Sequence, residues 1–139
     1  MSNDVTLHLR YFPFPGRAEA IRDTLRIGGV AFEDRHVPLD RFQELKASGE
    51  LPFGSLPVLD VVTPRGKISA AQSNAILRFA GRQAGLYPAD DALQALKVDE
   101  ALDLGEDLYD VIAPSIAEQN PGRRATMRRQ LARQSPPSR

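Results

Sequence analysis

Apolar and polar residues alternate from Val5 to Tyr11, which predicts a strand with one buried face. The next five residues, Phe12-Pro13-Phe14-Pro15-Gly16, must form a loop, because two prolines lack the amide donors that a ladder or helix requires. From Arg17 the spacing turns helical, with Ala18, Ile21, Leu25 and Ile27 in register and Gly28-Gly29 closing the helix. Phe32 to Val37 predicts a second strand, and Asp40 to Ala47 a short polar helix ahead of Ser48-Gly49. Val58 to Val62 predicts a third strand. Thr63-Pro64-Arg65-Gly66 carries proline at the second position of a four-residue turn, so Lys67 to Ser69 returns as a short fourth strand. A third helix follows from about Gln72 to Ala84. The fold class is α/β with the order β-α-β-α-β-β-α, a βαβ unit followed by a hairpin and a covering helix.

Gly85-Leu86-Tyr87-Pro88 marks a boundary. Beyond it, Ala92 to Ile112 predicts a long helix with Leu93, Leu96, Ala101, Leu102, Leu108 and Ile112 on its apolar side, ended or kinked by Pro114. Asn120-Pro121-Gly122 predicts a turn, and Arg123 to Arg133 a weaker helix. The expected organisation is a first domain over 1–84, a linker over 85–91, a partial all-α domain over 92–134 and a disordered tail over 135–139. One striped helix and one basic helix enclose no core of their own. The stripe must bury against the first domain, another chain or further helices.

Composition narrows the function classes. Formal net charge is zero, no apolar run reaches the length of a membrane span, and the start lacks the basic residues of a secretory signal. Neither a nucleic acid nor a membrane is expected as partner. With no cysteine there is no disulfide, thiolate metal site or protein-borne redox pair, and a cytoplasmic setting is the default. His8 and His36 are too few for a metal site, so no metal is expected. Charge is uneven: eight acids against Lys97 between Asp90 and Asp110, then Arg123, Arg124, Arg128, Arg129, Arg133 and Arg139 with no acid after Glu118. Without interleaved aromatics, that basic end reads as a solvated helix face.

The start of the third helix carries chemistry. Ser73 is placed as its cap, and the unpaired N–H groups of a first turn sit at the positive end of the helix dipole. Gln72 and Ser73 can complete the coordination of a ligand carboxylate there. The same residues also suit an ordinary capped helix.

Four motifs in order, Tyr11-Phe12-Pro13 with Gly16-Arg17-Ala18-Glu19, Phe53-Gly54-Ser55-Leu56-Pro57, Gln72-Ser73-Asn74-Ala75-Ile76 and Gly85-Leu86-Tyr87, resemble the cytosolic glutathione transferases. The tyrosine-using pi and sigma classes are the nearest, over Val5 to about Ile116. The resemblance implies a thioredoxin-like N-terminal domain, a helical C-terminal domain and a homodimer. The implied activity is conjugation of the glutathione thiolate to a small hydrophobic electrophile, with glutathione as co-substrate. Tyr11 matches the tyrosine whose hydroxyl hydrogen-bonds the sulfur, and Arg17 the arginine that organises charge around it. Gln72 and Ser73 match the residues that take the γ-glutamyl carboxylate. Leu56 and Pro57 match a cis-proline loop whose backbone pairs with the tripeptide, Lys46 a contact to the glycyl carboxylate, and Asp103 an aspartate reaching the γ-glutamyl amine across the dimer interface. Phe53 resembles an aromatic inserted into the partner subunit.

Departures accompany these matches. Phe42 stands where the family often has tryptophan, removing an indole donor, and Ser55 where many relatives have glutamine or lysine. The chain stops inside what should be the second helix of the helical domain, as a fragment or a short form without an electrophile site. Two alternatives share the first domain: a glutathione-dependent isomerase of the sigma type, and a non-catalytic glutathione-binding or interaction module. Thioredoxin-like redox chemistry is excluded for lack of cysteine. The electrophile itself is not encoded in these residues.

Overall fold

The computed structural model describes residues 5–133, and the expectation of a disordered tail over 135–139 lies outside them. The chain divides into two compact units, one through Ala95 and one from Leu96. In the first unit, β1 (Thr6–Tyr11) is followed by a single 3-10 turn (Gly16–Ala18), α1 (Glu19–Ile27), β2 (Glu33–His36), α2 (Leu39–Ser48), β3 (Val58–Thr63), β4 (Gly66–Ala71) and α3 (Ser73–Gln83). The sheet order is β2-β1-β3-β4, with β2 parallel to β1 and both β1–β3 and β3–β4 antiparallel. This is the βαβ unit, hairpin and covering helix expected from the element order, and the thioredoxin-like arrangement that the family resemblance implies.

Alternation along β1 is realised as Leu7, Leu9 and Tyr11 buried, and they join Ala18, Ile21, Leu25, Val58, Leu59, Ile76 and Ala80 in one core. Helices α1 and α3 pack together, closely enough at their ends that a Cβ on Gly28 would collide with Ala84. Gly29, at φ 64°, ends α1: its N–H reaches the Arg26 carbonyl at 3.0 Å and the next N–H, of Val30, reaches Leu25 at 2.9 Å. The edge strand β2 reads Glu-Asp-Arg-His, a row of charges that discourages pairing with another sheet. Its Arg35 hydrogen-bonds Glu33 at 2.8 Å and holds that carboxyl below its usual range. Both histidines lie on strands against acids, His8 3.4 Å from Glu33 and His36 3.5 Å from Asp34.

Two helix starts differ from the sequence reading. Ser73 does not cap α3; it is the first helical residue, and Gln72 holds the cap position without a side-chain cap bond. The cause is the abrupt change of direction after Ala71: one residue turns strand into helix, and Gln72 does so at φ 75°. Likewise α1 proper begins at Glu19, after the tight turn at Gly16–Ala18.

The 85–91 stretch is tied back to α3. Leu86 and Tyr87 donate to the Gly81 carbonyl at 2.8 and 3.1 Å, and Arg82 lies 4.8 Å from the Tyr87 ring centre. Asp91 caps α4 (Ala92–Ala117) by accepting from the Leu93 and Gln94 amides.

In the second unit α4 runs through Pro114 rather than stopping there. The proline forfeits only its own N–H, Ser115 Oγ bonds the Ile112 carbonyl at 2.8 Å, and Glu118 closes onto Pro114 at 3.1 Å. Pro121, expected in a turn, is instead the first residue of α5 (Pro121–Arg133), where a missing N–H costs nothing, and Asn120 Oδ1 accepts the Arg123 amide. Leu96, Leu104, Leu108, Val111, Ile112 and Ile116 are exposed along α4. No described helix is long and apolar enough to cross a membrane.

Candidate functional site

Strand register gathers the candidate residues. Arg10 pairs with Val58, and Val58 with Ala71, so three neighbouring strands stop level with one another. The residue beyond each pairing position is Tyr11 on β1, Pro57 ahead of β3 and Gln72 after β4. Strands lie about 4.8 Å apart, so this row spans roughly 10 Å from the tyrosine to the helix start. It lies at the carboxyl ends of the parallel pair β1–β2, where open α/β sheets place ligands.

Tyr11 is buried at the end of β1. Its hydroxyl oxygen accepts the Arg17 backbone N–H at 3.0 Å, and a phenolic hydroxyl can both accept and donate. The chain reaches Arg17 by wrapping over the ring. Gly16 takes φ 47°, and a Cβ there would collide with the Tyr11 hydroxyl, so only glycine fits. Phe12 and Phe14 meet the tyrosine ring edge-on at 5.2 and 5.7 Å, and Phe42 from α2 meets Phe12 at 5.2 Å. A continuous aromatic group thus joins β1 to α2.

Leu56 and Pro57 are buried, and the bond between them is cis. Lys46 is exposed on the last turn of α2, its aliphatic stem beside Gly54 in the loop leading to Leu56. Gln72 is exposed and, among the described residues, the one non-glycine at positive φ. No acid occupies the first turn of α3. Phe53, 71% exposed, stands out from the loop before Ser55. Asp103 belongs to the second unit, exposed on α4. Register therefore assembles Tyr11, Leu56, Pro57, Gln72 and Ser73, with Arg17, Phe42 and Lys46 on adjoining segments.

Sequence reasoning missed Arg22 and Asp60. Arg22 is buried under the Tyr11 loop, its guanidinium 5.7 Å from the tyrosine ring centre. Asp60 is buried in β3, where Ser69 Oγ donates to it at 2.6 Å and Arg10 Nη2 at 3.1 Å. Both left a signal. An arginine at the position between Ile21 and Leu25 interrupts the core stripe of α1, and an acid interrupts the apolar run Val58–Val62. Among the described residues no group of three or more His, Cys, Asp or Glu side chains could hold a metal ion.

No family model matches the chain. It is 36% identical over 104 residues to "Probable glutathione S-transferase 7" of Caenorhabditis elegans, covering 75% of this chain and 47% of that protein. It is 37% identical over 98 residues to "Glutathione S-transferase P" of Homo sapiens, covering 70% and 44%. Among solved structures, the Fasciola hepatica sigma class GST superimposes with a TM-score of 0.77 at 30% identity, covering 92% of this chain and 60% of that one. The chain spans about half the length of the curated relatives it matches. Over that span it belongs to the glutathione S-transferase family.

Proposed function

We propose that this chain binds glutathione along the sheet end and activates its thiol for transfer to a small hydrophobic electrophile. The observation that carries the proposal is the row from Tyr11 through Pro57 to Gln72. Its span of roughly 10 Å suits the stretch from the γ-glutamyl carboxylate, at Gln72, to the cysteinyl sulfur, at Tyr11. Glutathione carries carboxylates at both ends and a thiol at its centre, and the site offers complementary groups in that order. Gln72, Ser73 and the α3 amides receive the γ-glutamyl carboxylate. The Leu56 backbone pairs with the cysteinyl residue as an added strand. Lys46 meets the glycyl carboxylate, with Phe42 packed alongside.

The Tyr11 hydroxyl donates to the sulfur. A free thiol titrates near 8.5, and a hydrogen bond to the anion favours it. The thiol proton leaves to solvent and the phenol stays protonated. The sulfur lone pair then forms the new C–S bond as the leaving group departs with its electrons. Arg17 adds positive charge beside this centre. Transferase activity in a cytoplasmic homodimer, with the partner subunit's Asp103 meeting the γ-glutamyl amine, completes the proposal.

The test is titration of the chain with glutathione, following thiolate absorbance in the ultraviolet against pH. Saturable binding with the thiol pKa well below 8.5 is expected. A well-folded chain that binds no glutathione overturns the reading.

Gln72 gives a second, separable expectation. Its positive φ costs a non-glycine residue on the order of 1 kcal/mol. Gln72→Gly should therefore raise the thermal midpoint by a few degrees, while the lost amide weakens glutathione binding roughly tenfold or more. Unchanged affinity in a stabilised variant would remove Gln72 from the site.

A further inference from the structure

We infer that Arg22 is a positioning residue for Tyr11, holding the loop that sets the geometry of the tyrosine hydroxyl; the inference rests on the function proposed above. Arg22 lies on α1, 4% exposed. A guanidinium so placed must be fully paired to be tolerated. It makes five hydrogen bonds. Nε donates to Asp34 Oδ2 at 2.9 Å and Nη1 to Glu19 Oε2 at 3.1 Å. The other three go to backbone carbonyls of one short loop: Nη1 to Phe14 and Pro15 at 3.2 and 3.3 Å, and Nη2 to Phe12 at 3.3 Å.

That loop holds two prolines and belongs to neither the sheet nor a helix, so it has little backbone bonding of its own. Arg22 supplies the missing framework from one rigid planar group. Asp34, on β2, fixes the plane of that group from the other side, its Oδ1 buried without a hydrogen-bond partner. The loop leads directly into Gly16 and Arg17. Gly16 leaves the space beside the Tyr11 hydroxyl that a Cβ would fill, and the Arg17 amide donates a hydrogen bond to that oxygen. Displacing the carbonyls of Phe12, Phe14 and Pro15 therefore moves the donor that orients the phenol. Arg22 itself need not touch glutathione; it acts through the loop.

Arg22→Lys keeps the charge and removes the fork. In the full chain, two readouts apply to the folded variant. The first is hydrogen exchange at the Arg17 amide, followed by NMR without ligand. Exchange at least about tenfold faster than in the parent, with core amides of β1 and β3 unchanged, is expected. The second is the thiol pKa of bound glutathione. It should rise by about one unit, leaving about tenfold less thiolate, while affinity at acidic pH changes less than about threefold. Unchanged Arg17 exchange overturns the inference whatever glutathione does. A shifted Arg17 exchange with an unshifted thiol pKa also overturns it, since the loop would then not govern Tyr11. A parent chain that fails to lower the thiol pKa defeats the proposed function instead, a result visible before any variant is made; the role for Arg22 in thiol activation falls with it. If Arg22→Lys does not fold, Asp34→Asn, which weakens the anchor on Nε, decides by the same two readouts.

Discussion

Tyr11→Phe is expected to leave glutathione bound and return its thiol towards its free pKa. Lowering a thiol pKa by about two units corresponds to about 2.7 kcal/mol of preference for the anion. A hydrogen bond to a charged group contributes roughly 1.5–3 kcal/mol, so one phenolic O–H accounts for most of it. The substitution keeps the ring, which packs against Phe12, Phe14 and the Arg22 guanidinium, so the core loses little. The Arg17 amide loses its acceptor but lies in a partly exposed segment where water replaces it. Linkage makes the test sharper than a single activity. If the bound thiol titrates about two units below the free one, parent and variant have nearly equal glutathione affinities near pH 5 and diverge as the thiolate fraction grows. By pH 8 the parent binds roughly twentyfold more tightly. Calorimetry at both pH values and thiolate absorbance on the same samples should agree. A variant whose bound thiol stays within about half a pKa unit of the parent would assign activation to another group.

The residues that make this site readable are those whose local rules agree. Alternation from Thr6 to Tyr11 fixes which side chains face the core and puts Tyr11 at the strand end. The four-residue turn at Thr63–Gly66 fixes the β3–β4 register, and with it the placement of Gln72 level with Pro57. Those are short-range patterns. The cap position of α3 falls one residue before Ser73 because the strand-to-helix turn is made by Gln72 at positive φ, a conformation that side-chain type does not announce. Proline type alone predicts an end or kink at Pro114 and a turn at Pro121, yet α4 continues past the first and the second opens a helix. Arg22 and Asp60 escaped for a different reason. Each is a charge at a core position, and its meaning depends on partners 8 to 50 residues away, Phe14 for the first and Arg10 for the second. A stripe interrupted by a charge shows that something must pair with it, but only the fold shows what.

Asp60 yields the second large expectation, this one in stability. It is 3% exposed in β3, facing His8 on one neighbour strand and Ser69 on the other. Arg10, mostly buried as well, places Nη2 3.1 Å from Oδ1 and Nε 2.9 Å from Oδ2, and Ser69 adds its hydroxyl. This ion pair lies across the two central strands, so removing one member strands a charge in the middle of the sheet. Asp60→Ala should cost about 3–5 kcal/mol, as breaking a buried pair does. A domain of ordinary stability, about 5–15 kcal/mol, would lose roughly a fifth or more of its margin. Denaturant unfolding should show this as a lower midpoint with an unchanged slope. The cost belongs to the orphaned arginine rather than to the lost attraction, and a second substitution separates the two. Arg10→Met combined with Asp60→Leu removes both charges and supplies apolar volume, and should recover most of the loss. If Asp60→Ala costs less than about 1 kcal/mol, solvent already reaches Arg10 and the pair is a surface one. If the single variant is costly and the double variant equally so, the two hydrogen bonds from Arg10 Nη2 and Ser69 Oγ themselves hold β1, β3 and β4 together, and burial of charge is not what the sheet has to overcome.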